Sequence, residues 1–119
     1  MKELTYLYEN SLRACEIAGQ DKEFSYQFRK QQLSYIQSEV QELADALEEL
    51  DLVEELDACQ DILVTVFGYL QKLEALGARV DKAMVKTADN NLSKFPTTLE
   101  EVQQTQEFYK TVKNKETVF

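Results

Sequence analysis

Histidine and tryptophan are absent from this 119-residue sequence, and glycine (3), proline (1) and cysteine (2) are scarce. Without histidine there is no imidazole for general acid–base catalysis and no His-rich zinc site. A β-rich or loop-rich fold needs many more turn residues, so the composition favours helices. The two cysteines, Cys15 and Cys59, sit within apolar helical patterns and read as buried free thiols in a reducing compartment. No apolar run reaches the length of a membrane span, and the opening MKELTYLYEN carries no signal-peptide pattern. The expected location is therefore cytoplasmic, with no membrane partner.

One further absence is local. All 13 lysines and arginines lie outside residues 31–71, between Lys30 and Lys72. Inside that window stand Glu39, Glu42, Asp45, Glu48, Glu49, Asp51, Glu54, Glu55, Asp57 and Asp61. The window carries −10 and the rest of the chain +1, and the overall charge of −9 argues against non-specific binding to nucleic acid or anionic lipid.

Hydrophobic periodicity predicts an all-α fold, a single domain over residues 1–119 built as a bundle of about five helices. The first helix covers about residues 2–18 and stops at Gly19. The second covers about 23–49, with Phe24, Phe28, Leu33, Ile36, Val40, Leu43 and Leu47 in one stripe. The third starts near Asp51, an N-cap with Glu54 in its first turn, and ends at Gly77. A fourth spans about 79–92, and after Ser-Lys-Phe-Pro a fifth is capped by Thr97 or Thr98. The very short link between helices two and three makes them a central antiparallel hairpin within a four-helix-bundle-like core.

On a helical wheel, Leu52, Leu56, Cys59, Leu63, Val66, Leu70 and Leu73 share one face of the third helix and read as a core stripe. The opposite face carries Glu54, Asp57, Asp61 and Gly68. Beyond Asp61 the helix is apolar nearly all round, which predicts burial on both sides and a homodimer or homotetramer. On the second helix, Glu39 and Glu42 stand one turn apart and point the same way. An antiparallel hairpin can bring that pair opposite Asp57 and Asp61. Carboxylates 5 Å apart repel by roughly 3 kcal/mol at an effective dielectric near 20. A cluster at a partly buried edge must therefore take up protons, find cations or bind metal. Acids on an open helix face mostly keep a protein soluble, and Asp45, Glu48, Glu49 and Glu55 read that way. Glu54 is explained by its place in the cap, though it remains a further candidate ligand. An all-oxygen set built on Glu39, Glu42, Asp57 and Asp61 favours magnesium, or manganese, over zinc.

These residues resemble the all-α nucleoside triphosphate pyrophosphohydrolases, the MazG-like superfamily, and especially its short single-domain phage-type members. The likeness runs from about Arg29 to Lys94, with a weaker tail to Tyr109. Ser38-Glu39-Val40-Gln41-Glu42-Leu43 looks like the family's Glu-x-x-Glu element, with Ser38 where a doubled glutamate is usual. The run from Glu54 to Gly68 looks like its second acidic element, usually Glu-x-x-Asp. Glu54 and Asp57 satisfy that pattern in one register. In the other, preferred because Asp57 and Asp61 lie on the stripe leading to Gly68, Asp61 is the final acid and Ala58 takes the glutamate position. Asn91-Leu92-Ser93-Lys94-Phe95 is similar to a segment that meets substrate in the family.

The resemblance implies magnesium-dependent hydrolysis of a (deoxy)nucleoside triphosphate to the monophosphate and pyrophosphate. Glu39 or Glu42 would be the general base and Glu39, Glu42, Asp57 and Asp61 the metal ligands. Lys94 and Lys86 would meet phosphate and Asn91 the base or sugar. Arg79, Lys82 and Lys86 share one face of the fourth helix, which reads equally as a solvated face. Phosphoribosyl-ATP pyrophosphohydrolase is an alternative with the same metal logic. A non-catalytic acidic protein that binds a basic partner is an alternative of another class.

Overall fold

A computed structural model describes the backbone of residues 1–94 and 98–113 and the side chains of all of these but 92–94, 112 and 113. Among the described residues there is no strand, and the fold is all-α as expected. Five helices follow one another: α1 (Lys2–Ile17), α2 (Tyr26–Glu48), α3 (Leu52–Ala75), α4 (Val80–Lys94) and α5 (Leu99–Phe108). A 3-10 turn, Gln20–Lys22, precedes α2, and a π-helical turn, Tyr109–Lys113, follows α5.

The helix ends follow local chemistry. Gly19 (φ 76°) and Gly77 (φ 100°) take left-handed conformations that stop α1 and α3. Asp51 caps α3 by accepting a hydrogen bond from the Glu54 amide at 3.2 Å. Thr98, rather than Thr97, caps α5, accepting from the Glu101 amide at 3.1 Å; Thr97 lies outside the described residues. The α2–α3 link is Glu49-Leu50-Asp51, and it turns on Leu50 at φ 57°, a left-handed position without a glycine. The second helix begins three residues later than its periodicity suggests. The chain leaves the 3-10 turn through Glu23, and Ser25 takes the extended N-cap conformation.

The chain divides into two compact units, Met1–Val80 and one that starts at Asp81. In the first, α2 and α3 form the expected hairpin and α1 packs on α3. The hairpin closes over small residues, with Ala46 and Ala58 both buried. Tyr8 of α1 meets Phe67 of α3 edge to face, ring centroids 5.0 Å apart. Lys72 is buried on the same helix. Its ammonium donates to the Glu23 carbonyl at 2.7 Å and lies 5.9 Å from the Phe28 ring centre, tying the entry to α2 onto α3.

The leucine stripe of α3 differs from expectation. Its C-terminal half, from Val66 onwards, is half-buried, but Leu52 and Leu56 are 77% and 64% exposed and Cys59 is exposed too. The face turned toward α2 is instead the one with Ala58, Asp61 and Thr65. Small and polar residues permit the closer approach of two helices, so they take the intrachain contact and leave these leucines outward. Both cysteines are free thiols, Cys15 half-buried and Cys59 exposed rather than buried. No helix of the described residues is long and apolar enough to cross a membrane.

Candidate metal centre

Helical spacing alone sets Glu39 and Glu42 one turn apart along α2. The hairpin brings Asp61 of α3 to them. Among the described residues, Glu39, Glu42 and Asp61 form a group in which one carboxylate oxygen from each lies within 4.8 Å of the others. Glu39 and Asp61 are half-buried and Glu42 is exposed. Asp57, expected as a fourth member, is exposed and outside this close group, although its charge still reaches Glu39. Glu54 is exposed, its amide engaged in the α3 cap. Glu48, Glu49 and Asp45 are exposed as expected, Asp45 accepting from the Gln41 amide at 2.9 Å, while Glu55 is half-buried.

Electrostatics single out Glu39. Its Oε2 is shut off from solvent and has no hydrogen-bond partner. That enclosure pushes its carboxyl above the ordinary value, and a proton shared with Glu42 and the charges of Glu42, Asp61 and Asp57 push it further. An enclosed carboxylate oxygen without a donor carries a standing desolvation cost. A cation would remove that cost. Oxygen ligands of an octahedral magnesium ion lie about 3 Å apart when neighbouring and about 4.2 Å apart when opposite, so three oxygens within 4.8 Å of one another need to draw together by side-chain rotation to converge on one ion. The donor set is all oxygen, which suits magnesium or manganese.

A pocket of about 200 Å3 lies one helical turn along the hairpin from the triad. Tyr35 of α2, one turn before Glu39, lines it together with Gln32, and Thr65 of α3, one turn after Asp61, lines it with Val64 and Gly68. Gln32 crosses the hairpin and donates to the Thr65 carbonyl at 2.8 Å. Gly68 makes that crossing possible, since a Cβ there would stand 2.7 Å from Gln32 Nε2. Neither Gln32 nor Tyr35 is marked by sequence pattern. The available signal is the helical glycine facing α2, which implies a neighbour that needs its space.

In the second unit, Lys82 and Lys86 line one open pocket of about 350 Å3 along α4 with Asp81, Val85 and Asp89. The expected cationic face of α4 is thus interleaved with acids. Arg79 and Asn91 are exposed. The side chain of Lys94 and all of Phe95 lie outside the described residues. Against protein-family models, curated proteins and solved structures, the chain finds no match in any of the three comparisons.

Proposed function

We propose that this chain is a magnesium-dependent nucleotide pyrophosphohydrolase, cleaving a nucleoside or deoxynucleoside triphosphate to the monophosphate and pyrophosphate. The observation that carries the reading is the triad of Glu39, Glu42 and Asp61, with one enclosed, unpartnered carboxylate oxygen, set one turn from a pocket that Tyr35 lines. Likeness of the acidic motifs to MazG-like enzymes supports the same reading. The alternative of a merely acidic surface accounts for Glu48 and Glu49 but not for the enclosed oxygen of Glu39.

Glu39 and Asp61, half-buried, would hold the metal, with the exposed Asp57 reaching it only from the rim. Bound magnesium would supply charge neutralisation and a more acidic water. A triphosphate is repelled by bare acids, so affinity without metal is expected to be negligible. Water adds to the α-phosphorus, the bond from that phosphorus to the bridging oxygen breaks, and pyrophosphate departs. Glu42, the solvent-exposed member of the triad, would take the proton of the attacking water. Tyr35, which lines the adjacent pocket, would meet the nucleoside. Free thiols at Cys15 and Cys59 suit a reducing cytoplasm.

The test is pyrophosphate release from a panel of nucleoside triphosphates and phosphoribosyl-ATP with millimolar magnesium or manganese. Turnover of a triphosphate that Asp61→Asn abolishes is the expected result. No release from any nucleotide, or equal release by Asp61→Asn, would refute the reading.

A further inference from the structure

Lys72 is a buried cation with no anion to answer it. The residue is 7% exposed, and its ammonium carries three N–H donors. Among the described residues it makes one hydrogen bond, to the Glu23 carbonyl at 2.7 Å, and no carboxylate pairs with it. Buried charges are ordinarily paired, because an ion withdrawn from water loses its hydration. Lys72 also lines the pocket of about 200 Å3 whose other end Tyr35 and Thr65 line. It stands seven residues beyond Thr65, roughly 10 Å farther along α3. Cys15, Gln20 and Gln71 line the pocket too, and no carboxylate does. Burial pushes the Cys15 thiol above its ordinary value, and the largest charge acting on it is that of Lys72, which draws it back down, ahead of Asp21 and Glu16. A second cation follows from the register of the hairpin. Phe28 and Lys72, each twenty-two residues from Leu50, meet across it. Arg29 and Gln71 are the next such pair, and the Arg29 Nε is enclosed without a partner.

We propose that the Lys72 end of this pocket binds a small oxyanion, a phosphate or a short carboxylate, through the Lys72 ammonium and the Gln71 side-chain amide. Three features select that class. The lining offers hydrogen-bond donors beside a positive charge and no competing acid. The volume falls below the roughly 300–1,000 Å3 of sites that enclose a drug-sized molecule, so a ligand of few atoms suits it. An anion seated there would pair a charge that the described fold buries without one. The inference goes beyond the metal reading and does not rest on it, since Glu39, Glu42 and Asp61 repel the ligand that Lys72 attracts.

The test uses the two native thiols of the full chain. Folded protein at low ionic strength is alkylated with anionic iodoacetate or with neutral iodoacetamide, and mass spectrometry reads the rate at Cys15 and at Cys59. The ratio of the two rates at one cysteine cancels its ionisation and reports the charge around it. We expect the iodoacetate-to-iodoacetamide ratio at Cys15 to be about fivefold higher in folded than in denatured protein, the effect of one nearby charge in water. Millimolar inorganic phosphate or acetate, in separate arms against chloride of equal ionic strength, should slow iodoacetate at Cys15 and leave Cys59 unaffected. The arm that protects identifies the oxyanion. Lys72→Met should remove most of the rise in the Cys15 ratio. If that variant unfolds by circular dichroism, Gln71→Glu replaces it, setting a carboxylate beside Lys72 while sparing the bond to Glu23. A Cys15 ratio that folding leaves unchanged would overturn the proposal, as would protection by neither anion or a preference that the variant keeps. So would a folded-state Cys15 that neither reagent reaches, since a small anion could not then enter.

Discussion

Replacing Glu39 by glutamine should make the protein more stable without metal and less stable with it. One oxygen each of Glu39, Glu42 and Asp61 lies within 4.8 Å of the others. At that separation two charges repel by about 0.9 kcal/mol in bulk water and about 3.5 kcal/mol at an effective dielectric near 20. Glu42 is exposed and the other two are half-buried, so the watery end of that range applies. Removing the Glu39 charge relieves two such pairs and lets the new amide donate to a neighbouring carboxylate, a gain of about 1–2 kcal/mol. In a domain of this size that is a rise in Tm of roughly 4–8 °C in chelator. With metal at a hundred times its Kd, the native triad gains about 2.7 kcal/mol and the variant, one ligand short, much less. The two melting curves should therefore exchange order when millimolar magnesium or manganese replaces chelator. Glu39→Gln melting below the native protein in chelator would refute the electrostatic argument, and an unmoved native Tm would refute the metal site.

The raised carboxyl of Glu39 also sets a pH dependence. The folded state holds its proton to higher pH than the unfolded chain, whose ordinary value is 4.5, so metal-free stability should fall as pH rises from there through the folded value. The metal-induced rise in Tm should grow over the same interval, and both trends should be missing from Glu39→Gln melts. Gly68→Ala displaces the flexible end of Gln32 and loses its bond to Thr65, about 1 kcal/mol, against a gain of about 1 kcal/mol in helix propensity. Its stability should stay within about 0.5 kcal/mol while KM for the nucleotide rises, a split that melts and kinetics together would show. Leu50→Gly relieves a left-handed leucine, worth about 1–2 kcal/mol less the entropy of the freer unfolded chain. A rise of a few degrees in Tm is expected, and a fall would mean that the Leu50 side chain is held by a partner.

Helix number and ends were legible because their causes are local. Gly19, Gly77, Asp51 and Thr98 act on the backbone beside them, and a sequence displays such neighbours directly. The leucine stripe of α3 was legible as a stripe but not as to what covers it. Spacing identifies a face that seeks burial, and the same spacing serves a helix of the same chain or of another. Here the intrachain contact fell to Ala58 and Asp61, which no hydrophobicity pattern favours.

What could have resolved the site is the register of the hairpin. A link as short as Glu49-Leu50-Asp51 leaves little slack, so residues equally distant from Leu50 should face one another across α2 and α3. Gln32 and Gly68 are each eighteen residues from it, and the structure sets them against each other. Glu39 and Asp61 are each eleven from it, and the structure brings their carboxylates together. Asp57 is seven away and answers to Leu43, nearer the tip and outside the close triad. Mirror position about the link thus favours Asp61 over Asp57 and pairs the helical glycine with the one side chain that needs its space. Motif spacing along one helix could do neither, because it carries no information about the helix opposite.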